Sequence, residues 1–476
     1  MKNKENKENL LFLFILAAAA GLRIYALDGE SMWVDEIGHA RAAAQPSLSL
    51  ILAGVKSHAA AAPLDYLLLS LYMKLNPDHS AFGLRLIYVI YGFLSVVVIY
   101  LLGRSIEGKS LGFAAAFALA VSPLQIYYSQ EVRFYSLSVL IALLSTLLFL
   151  EALKNPSKDR WAWWGVINLA GLYTHYYLSF LILVQLMYLL LLIYKEARRK
   201  HKLLRMQIKP VGITLLAMVL GFLPWLLYVW PLSAGRFDGF YVPFGGAFLA
   251  LLSSWGQFYW VIGLLLFLFF GMMVKEDVIL LAGLALVPFL GAFWADNAGG
   301  YFFNSRQVIF SQPFFILGFL MGGQAYAQKI QERFKKARKW RPQQVLALFA
   351  VLYLVMNLPL LGLYYKENQK PNWPMIVNVI ESGQLGESVR FGVINTRDQM
   401  ELSVQVFGFE EASQPGKFEY IDSEYALAEF IDAEGAGWLV ISVEGLNESD
   451  SDLINLINQA GVNQLEYKGF ILVQVK

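Results

Sequence analysis

Two adjacent carboxylates stand in the stretch Ser31-Met32-Trp33-Val34-Asp35-Glu36, just after the first long apolar run. Paired acids behind a tryptophan suit general-base or metal work. They equally suit an interfacial tryptophan followed by a solvated acidic turn. A second group, Tyr127-Tyr128-Ser129-Gln130-Glu131-Val132-Arg133-Phe134-Tyr135, places Glu131 and Arg133 in a short turn between apolar runs. The plain alternative there is an ion pair inside a helix connection. A third, Tyr173-Thr174-His175-Tyr176-Tyr177, puts one histidine at another such junction, where a hydrogen-bonded structural histidine is the common case. Arginine supplies the fourth: Arg23 near the end of the first run, and Arg85 and Arg306 at the starts of later ones. An arginine at a span end normally snorkels to the interface, yet several on one face would also grip a phosphate. Acids that activate a nucleophile, with guanidinium groups that hold an anionic leaving group, make a coherent chemical pair.

These side chains hang on a strongly apolar chain. Of 476 residues, 57% are hydrophobic and 16% charged, well below the quarter or so usual in soluble domains. An all-α polytopic membrane protein is the expected fold, with a small C-terminal α/β soluble domain. Spans of about 20 apolar residues fit 9–27, 85–103, 110–127, 134–153, 161–174, 176–194, 210–231, 257–274, 278–295, 307–326 and 343–363, eleven in all. Ala17–Ala20 offers small residues for signal cleavage, but the first run continues to Leu27, which favours a retained helix. Pro63–Leu75 is the ambiguous segment. Basic loops stay cytoplasmic. The richest, Lys195–Lys209 and Lys329–Arg341, fall on one side with the N-terminal lysines only if Pro63–Leu75 does not span. It is therefore expected along the membrane surface, inside one large external loop, 28–84. The four polar groups then share the external face.

The net charge of +2 argues against a nucleic-acid partner, but it hides an asymmetry. Residues 364–476 carry 18 acidic and 7 basic side chains, leaving 1–363 strongly positive. The expected division is thus a membrane domain, 1–363, and an external soluble domain, 364–476. In the latter, 389–393, 438–443 and 469–475 read as strands, and 425–431 and 452–460 as helices. No glycine-rich phosphate loop is present, and no cysteine, which excludes disulfides and thiolate chemistry.

Taken in order, the motifs resemble those of GT-C membrane glycosyltransferases of the protein O-mannosyltransferase and aminoarabinose-transferase type. Trp33-Val34-Asp35-Glu36 resembles that family's signature after its first helix. Ala62-Pro63-Leu64-Asp65-Tyr66-Leu67-Leu68 resembles its Pro-Pro-Leu-Tyr-Tyr segment. Ser122-Pro123 followed by Tyr128 to Leu137 resembles its second external loop, and Tyr173-Thr174-His175-Tyr176 its short-helix junction. The likeness is good over 9–230 and looser beyond, through Ser305-Arg306-Gln307 and Pro313. The sequence departs at Ala60, Ala61 and Ala62, where some relatives carry a lysine and a first proline, and at Asp65, where they carry tyrosine.

The resemblance implies transfer of a sugar from a polyprenyl-phosphate carrier to a glycan, lipid or protein acceptor at the outer membrane face. Asp35 would be the general base, supported by Glu36 and Glu131. Arg23, Arg85, Arg133 and Arg306 would hold the lipid phosphate, and Trp33, Tyr66, Tyr128, Tyr135 and His175 would line the substrate site. Metal use varies in the superfamily; Asp35 and Glu131 could share a divalent cation. The basic loops put the N-terminus in the cytoplasm and the tail in the periplasm or outside, and the short loops and small tail favour a bacterial inner (plasma) membrane. A polytopic transporter or lipid flippase is the alternative, but its ionisable groups would sit near mid-membrane.

Overall fold

The computed structural model describes residues 2–30, 32–57, 61–198, 207–230, 243–256, 276–298, 303–333 and 340–366, and the strands 390–394, 418–421, 437–442, 461–467 and 470–475. Fifteen α-helices are described: α1 Lys2–Ile24, α2 Val34–Ala43, α3 Leu48–Ser57, α4 Leu64–Leu75, α5 Ala81–Glu107, α6 Lys109–Ala120, α7 Pro123–Ser129, α8 Tyr135–Lys154, α9 Lys158–Leu172, α10 Leu178–Arg198, α11 Ile208–Val229, α12 Phe244–Gly256, α13 Glu276–Ala298, α14 Gln312–Arg333 and α15 Pro342–Lys366. A 3-10 helix, Ser305–Ser311, leads directly into α14.

Among the described residues, seven single helices are long and apolar enough to cross a bilayer: α5, α8, α10, α11, α13, α15 and the 3-10 helix continued by α14. The expected span 110–127 is not straight. It is the pair α6 and α7, bent by 61°. Ser122 is extended (φ −71°, ψ 116°) and Pro123 opens α7. Proline bars its preceding residue from the helical region and cannot continue the hydrogen-bond ladder, so the break falls where the sequence puts Ser122-Pro123. Two further expected spans are helical but shorter in their apolar part. α9 has 15 residues, and α1 begins with the charged run Lys2–Glu8. The expected span 257–274 lies outside the described residues, as do the helices expected at 425–431 and 452–460.

The chain divides into two compact units, Met1–Tyr25 with Ala42–Lys74 and Arg85–Leu363, and Ala26–Arg41 with Leu75–Leu84 and Tyr364–Lys476. The break at Leu363 falls where the charge changes, but two short segments of the 28–84 region group with the tail. Within that region the described residues include the helices α2, α3 and α4. α4, the ambiguous segment, has 12 residues, about 18 Å of helix at 1.5 Å per residue. That is well short of the ~30 Å hydrocarbon thickness.

The first unit is built on one continuous apolar core drawn from α1, α5, α6, α8, α10, α13 and α14. α5 and α6 meet through glycine. A Cβ on Gly112 would lie 2.6 Å from the Tyr100 carbonyl oxygen, so only hydrogen lets these backbones approach. Gly108, at φ 90°, makes the turn between the two helices in a region that other residues rarely enter. Elsewhere many large apolar side chains point outward, including Leu216, Val219 and Leu227 on α11, the exterior that a lipid solvent requires.

In the second unit the described strands form a five-stranded sheet, β1 Arg390–Ile394, β2 Phe418–Ile421, β3 Gly437–Ser442, β4 Gly461–Tyr467 and β5 Phe470–Val475, ordered β2-β1-β3-β5-β4. β1 runs parallel to β2 and β3, and β5 antiparallel to β3 and β4. The strands expected near 389–393, 438–443 and 469–475 are β1, β3 and β5. β2 and β4 were not anticipated; their alternation is diluted by charged residues, as in Phe418-Glu419-Tyr420.

Candidate active site

The turn between α7 and α8 is anchored before it does anything else. The Gln130 side chain donates to the carbonyls of Arg23 (2.8 Å) and Tyr25 (2.9 Å), fixing the end of α7 to the end of α1. The Arg133 amide then donates to the Glu131 carbonyl at 2.8 Å, closing a tight three-residue turn. Val132 and Glu131 are both fully buried. The Arg133 guanidinium lies over the rings of Phe134 (5.5 Å) and Tyr135 (5.9 Å), a cation–π arrangement that holds a planar cation. Tyr128 and Tyr135 meet edge to face at 4.7 Å.

Some 170 residues later, the 3-10 helix brings Arg306 to the same place. Asn304 caps this helix, accepting from the Arg306 amide at 3.1 Å, while the Gln307 side chain accepts from the Asn304 amide. Tyr128 lies within electrostatic reach of Glu131, Tyr135 and Arg306 together. Of the residues singled out in the sequence, Glu131, Tyr135 and Arg306 are thus near enough to Tyr128 to act on it, and Arg133 comes from the same turn as Glu131. A buried bridge supports them from behind: Gln125 and Ser122 both donate to the Gln312 side chain, at 2.9 and 3.3 Å.

The junction between α9 and α10 is pinned on two sides. On one, the Leu64 amide donates to the Tyr173 carbonyl (2.8 Å), Tyr176 donates to the Ala61 carbonyl (3.2 Å), and Trp225 donates to the Tyr176 hydroxyl (2.9 Å). On the other, His175 Nε2 lies 2.8 Å from the Gln307 carbonyl. A carbonyl only accepts, so Nε2 carries the proton. The ring is enclosed by Phe134, Tyr177 and Phe310. This enclosure disfavours the cation and, with a smaller push from Arg133, takes the imidazole down to about 4, against the opposing hydrogen bond to Gln307. His175 is thus neutral near pH 7 and tethers the helix that carries Arg306.

The other arginines are placed differently. Arg23 is fully buried, and its guanidinium donates to the carbonyls of Ala19 (3.2 Å), Leu119 (3.1 Å) and Ala120 (3.0 Å). Its charge serves the carbonyl end of α6, where the negative pole of the helix lies. Arg85 is buried in the first turns of α5. Tyr66 sits in a separate apolar cluster with Ile51, Val55 and Trp225.

Trp33, Asp35 and Glu36 belong to the second unit. There Asp35 and Glu36 occupy the first turn of α2. The buried Glu36 carboxylate accepts from the Trp33 amide at 3.4 Å, while Asp35 keeps part of its surface accessible. Among the described residues, no group of three or more His, Asp or Glu side chains could hold a metal ion.

Two buried acids escaped sequence reasoning. Asp65, read only as a departure from a motif, accepts from the Tyr88 hydroxyl at 3.1 Å. Asp296 accepts a hydrogen bond from Tyr177. The signal for Asp296 was present: a carboxylate next to the apolar run 278–295 is costly in a membrane and is itself a functional pointer.

With this geometry in view, comparison with known structures identifies the fold. The chain has the fold of ArnT from Cupriavidus metallidurans in the apo state, at 10% identity, with 97% of each chain covered and a TM-score of 0.56. It is a membrane protein of the GT-C glycosyltransferase fold. Residues 58–228, about a third of the chain, match the family described as dolichyl-phosphate-mannose-protein mannosyltransferase. Two further structures are similar at TM-scores of 0.49. One is the same ArnT bound to undecaprenyl phosphate (12% identity, 97% of each chain); the other is the Archaeoglobus fulgidus oligosaccharyltransferase (13% identity, 92% of this chain and 70% of that one). No curated protein matches this chain in sequence.

Proposed function

We propose that this protein transfers a sugar from a polyprenyl-phosphate carrier to an acceptor at the outer face of the membrane, with Asp35 as the general base. The observation that carries this reading is that Glu131, Tyr135 and Arg306 all act electrostatically on Tyr128, in a chain with the ArnT fold. The family match over 58–228 suggests the donor class. In the reaction, an acceptor hydroxyl attacks the anomeric carbon, Asp35 takes its proton, and the bond from that carbon to the phosphate oxygen breaks. The lipid phosphate leaves with the electron pair. Arg306 and Arg133 meet its developing charge with charge-assisted hydrogen bonds. Glu131 orients these cations and Tyr128.

Arg23 and His175 take positioning parts in this account. Arg23 secures the end of α6, and His175, uncharged, holds the helix that presents Arg306. The basic connectors imply a cytoplasmic N-terminus and an external acidic tail, and the short loops and small tail favour a bacterial inner membrane.

The test is transfer from synthetic polyprenyl-phosphate sugars by the full-length protein in liposomes, read as released polyprenyl phosphate. Asp35→Ala should lower turnover by roughly 10²–10⁴-fold with normal insertion. Undiminished turnover in that variant removes the base assignment. No release from any polyprenyl-phosphate hexose or pentose removes the reaction itself.

A further inference from the structure

A cavity of about 370 Å³ lies at the other end of the first unit, between α1, α6 and α15. α1 and α6 both begin there and both end at the Arg23 contact, so Glu8 and Arg23 are separated by about 22 Å of helix. The cavity is within the 300–1,000 Å³ typical of small-molecule sites. Its walls are apolar, formed by Leu11, Ile15, Phe117 and Val351 among others. At its rim Lys109 and Glu8 pair at 2.6 Å, with Arg104 adding positive charge beside Lys109.

The occupant's chemistry follows from two features. First, Leu11 and Val351 are themselves 46% and 51% exposed, as are their neighbours Leu10 and Phe14 at 69% and 63%. The cavity thus opens sideways through the apolar exterior that faces lipid, where an acyl chain is the available ligand. Second, the rim sets the carboxylate of Glu8 directly against the ammonium of Lys109. A head group carrying both a phosphate and a primary ammonium satisfies both: phosphate on Lys109, ammonium on Glu8. An anionic glycerol head group would face Glu8 with a like charge, and a quaternary ammonium has no proton to donate to it.

We propose that this cavity is a binding site for one amine-bearing phospholipid, its chain between α1, α6 and α15 and its head group exchanged into the Glu8–Lys109 pair. The site is independent of the reaction proposed above.

The test is native mass spectrometry of the full-length protein in detergent, with palmitoyl-oleoyl phosphatidylethanolamine, phosphatidylglycerol or phosphatidylcholine added in turn. One phosphatidylethanolamine should be held about tenfold more tightly than the other two lipids. Ala347→Trp, at an exposed lining position, should abolish that adduct, and so should Ala114→Phe from the buried side. Lys109→Gln and Glu8→Gln should each erase the preference. Equal retention of the three lipids, or an adduct that survives Ala347→Trp unchanged, overturns the proposal.

Discussion

Replacing His175 by phenylalanine separates its two contributions, because the ring survives and the hydrogen bond does not. The lost bond is the 2.8 Å contact from Nε2 to the Gln307 carbonyl. A carbonyl left without its partner in an enclosed place costs about 1–3 kcal/mol, so His175→Phe should unfold earlier than the wild type at pH 7.5. The imidazole also titrates differently when folded. Its ordinary value of 6.5 falls to about 4 in the folded protein, so the folded state binds fewer protons than the unfolded state between these values. Stability is therefore fully present above pH 6.5 and lost as pH falls toward 4. The loss is on the order of 3 kcal/mol by pH 4.

Phenylalanine has no such proton. The gap between the two proteins should be widest at pH 7.5 and should close or invert by pH 4.5. The assay is thermal unfolding of both proteins in the same detergent across that range, read as the difference between them so that common acid effects cancel. Parallel loss in wild type and variant would refute the buried neutral imidazole. At pH 7.5 the variant should also raise the donor KM more than it lowers kcat, because the tethered helix carries Arg306. A uniform fall in the amount of active protein, with KM unchanged, would reduce His175 to a purely structural residue.

Three further outcomes follow from geometry. Gly92→Ala would place a Cβ 2.1 Å from Ser129 Oγ and 3.1 Å from Arg23 Nε; separating α5 from α7 should cost about 1–3 kcal/mol, checked by thermal unfolding, and a wild-type midpoint would contradict the packing. Arg23→Met removes the donor to three carbonyls and should reduce stability by about 3 kcal/mol or more, measured as the loss of monodisperse protein on size exclusion. A normally folded variant that has selectively lost donor binding would return Arg23 to the phosphate site. Arg306→Ala should weaken donor use more than acceptor use, by about 2 kcal/mol in kcat/KM; steady-state kinetics with each substrate varied would show equal effects if the role were structural.

Helix positions were legible because twenty-residue apolar runs have few other readings. The charge bias of the connectors also led one to expect Glu131 and Arg306 on the same face, and both act on Tyr128. Three things were hidden. A span can be assigned from hydropathy alone, but its continuity depends on one dipeptide, and Ser122-Pro123 turns 110–127 into two helices. The type of a charged residue does not reveal which atoms receive it. Arg23 and Arg306 read alike in the sequence, yet one faces carbonyls of the fold and the other faces the cluster around Tyr128. The pattern of the tail was weaker still: β2 and β4 are short or interrupted by acids, and their strand character comes from pairing with neighbours. His175 was visible as a residue of interest, but its uncharged state is a product of the rings that enclose it.

The contact of Arg23 with Leu119 and Ala120 has a bearing on how this chain can be taken apart. Because Ser122-Pro123 stops α6 early, two carbonyl groups at its end look to another segment for their donor, and that donor rides on the first helix. Exchanging residues 1–24 for a generic membrane anchor would preserve insertion and topology while stripping a partner from the midst of the bundle. The amino-terminal helix is in that sense an internal strut, and a chimera or tag that displaces it should be expected to fail by misfolding long before mistargeting.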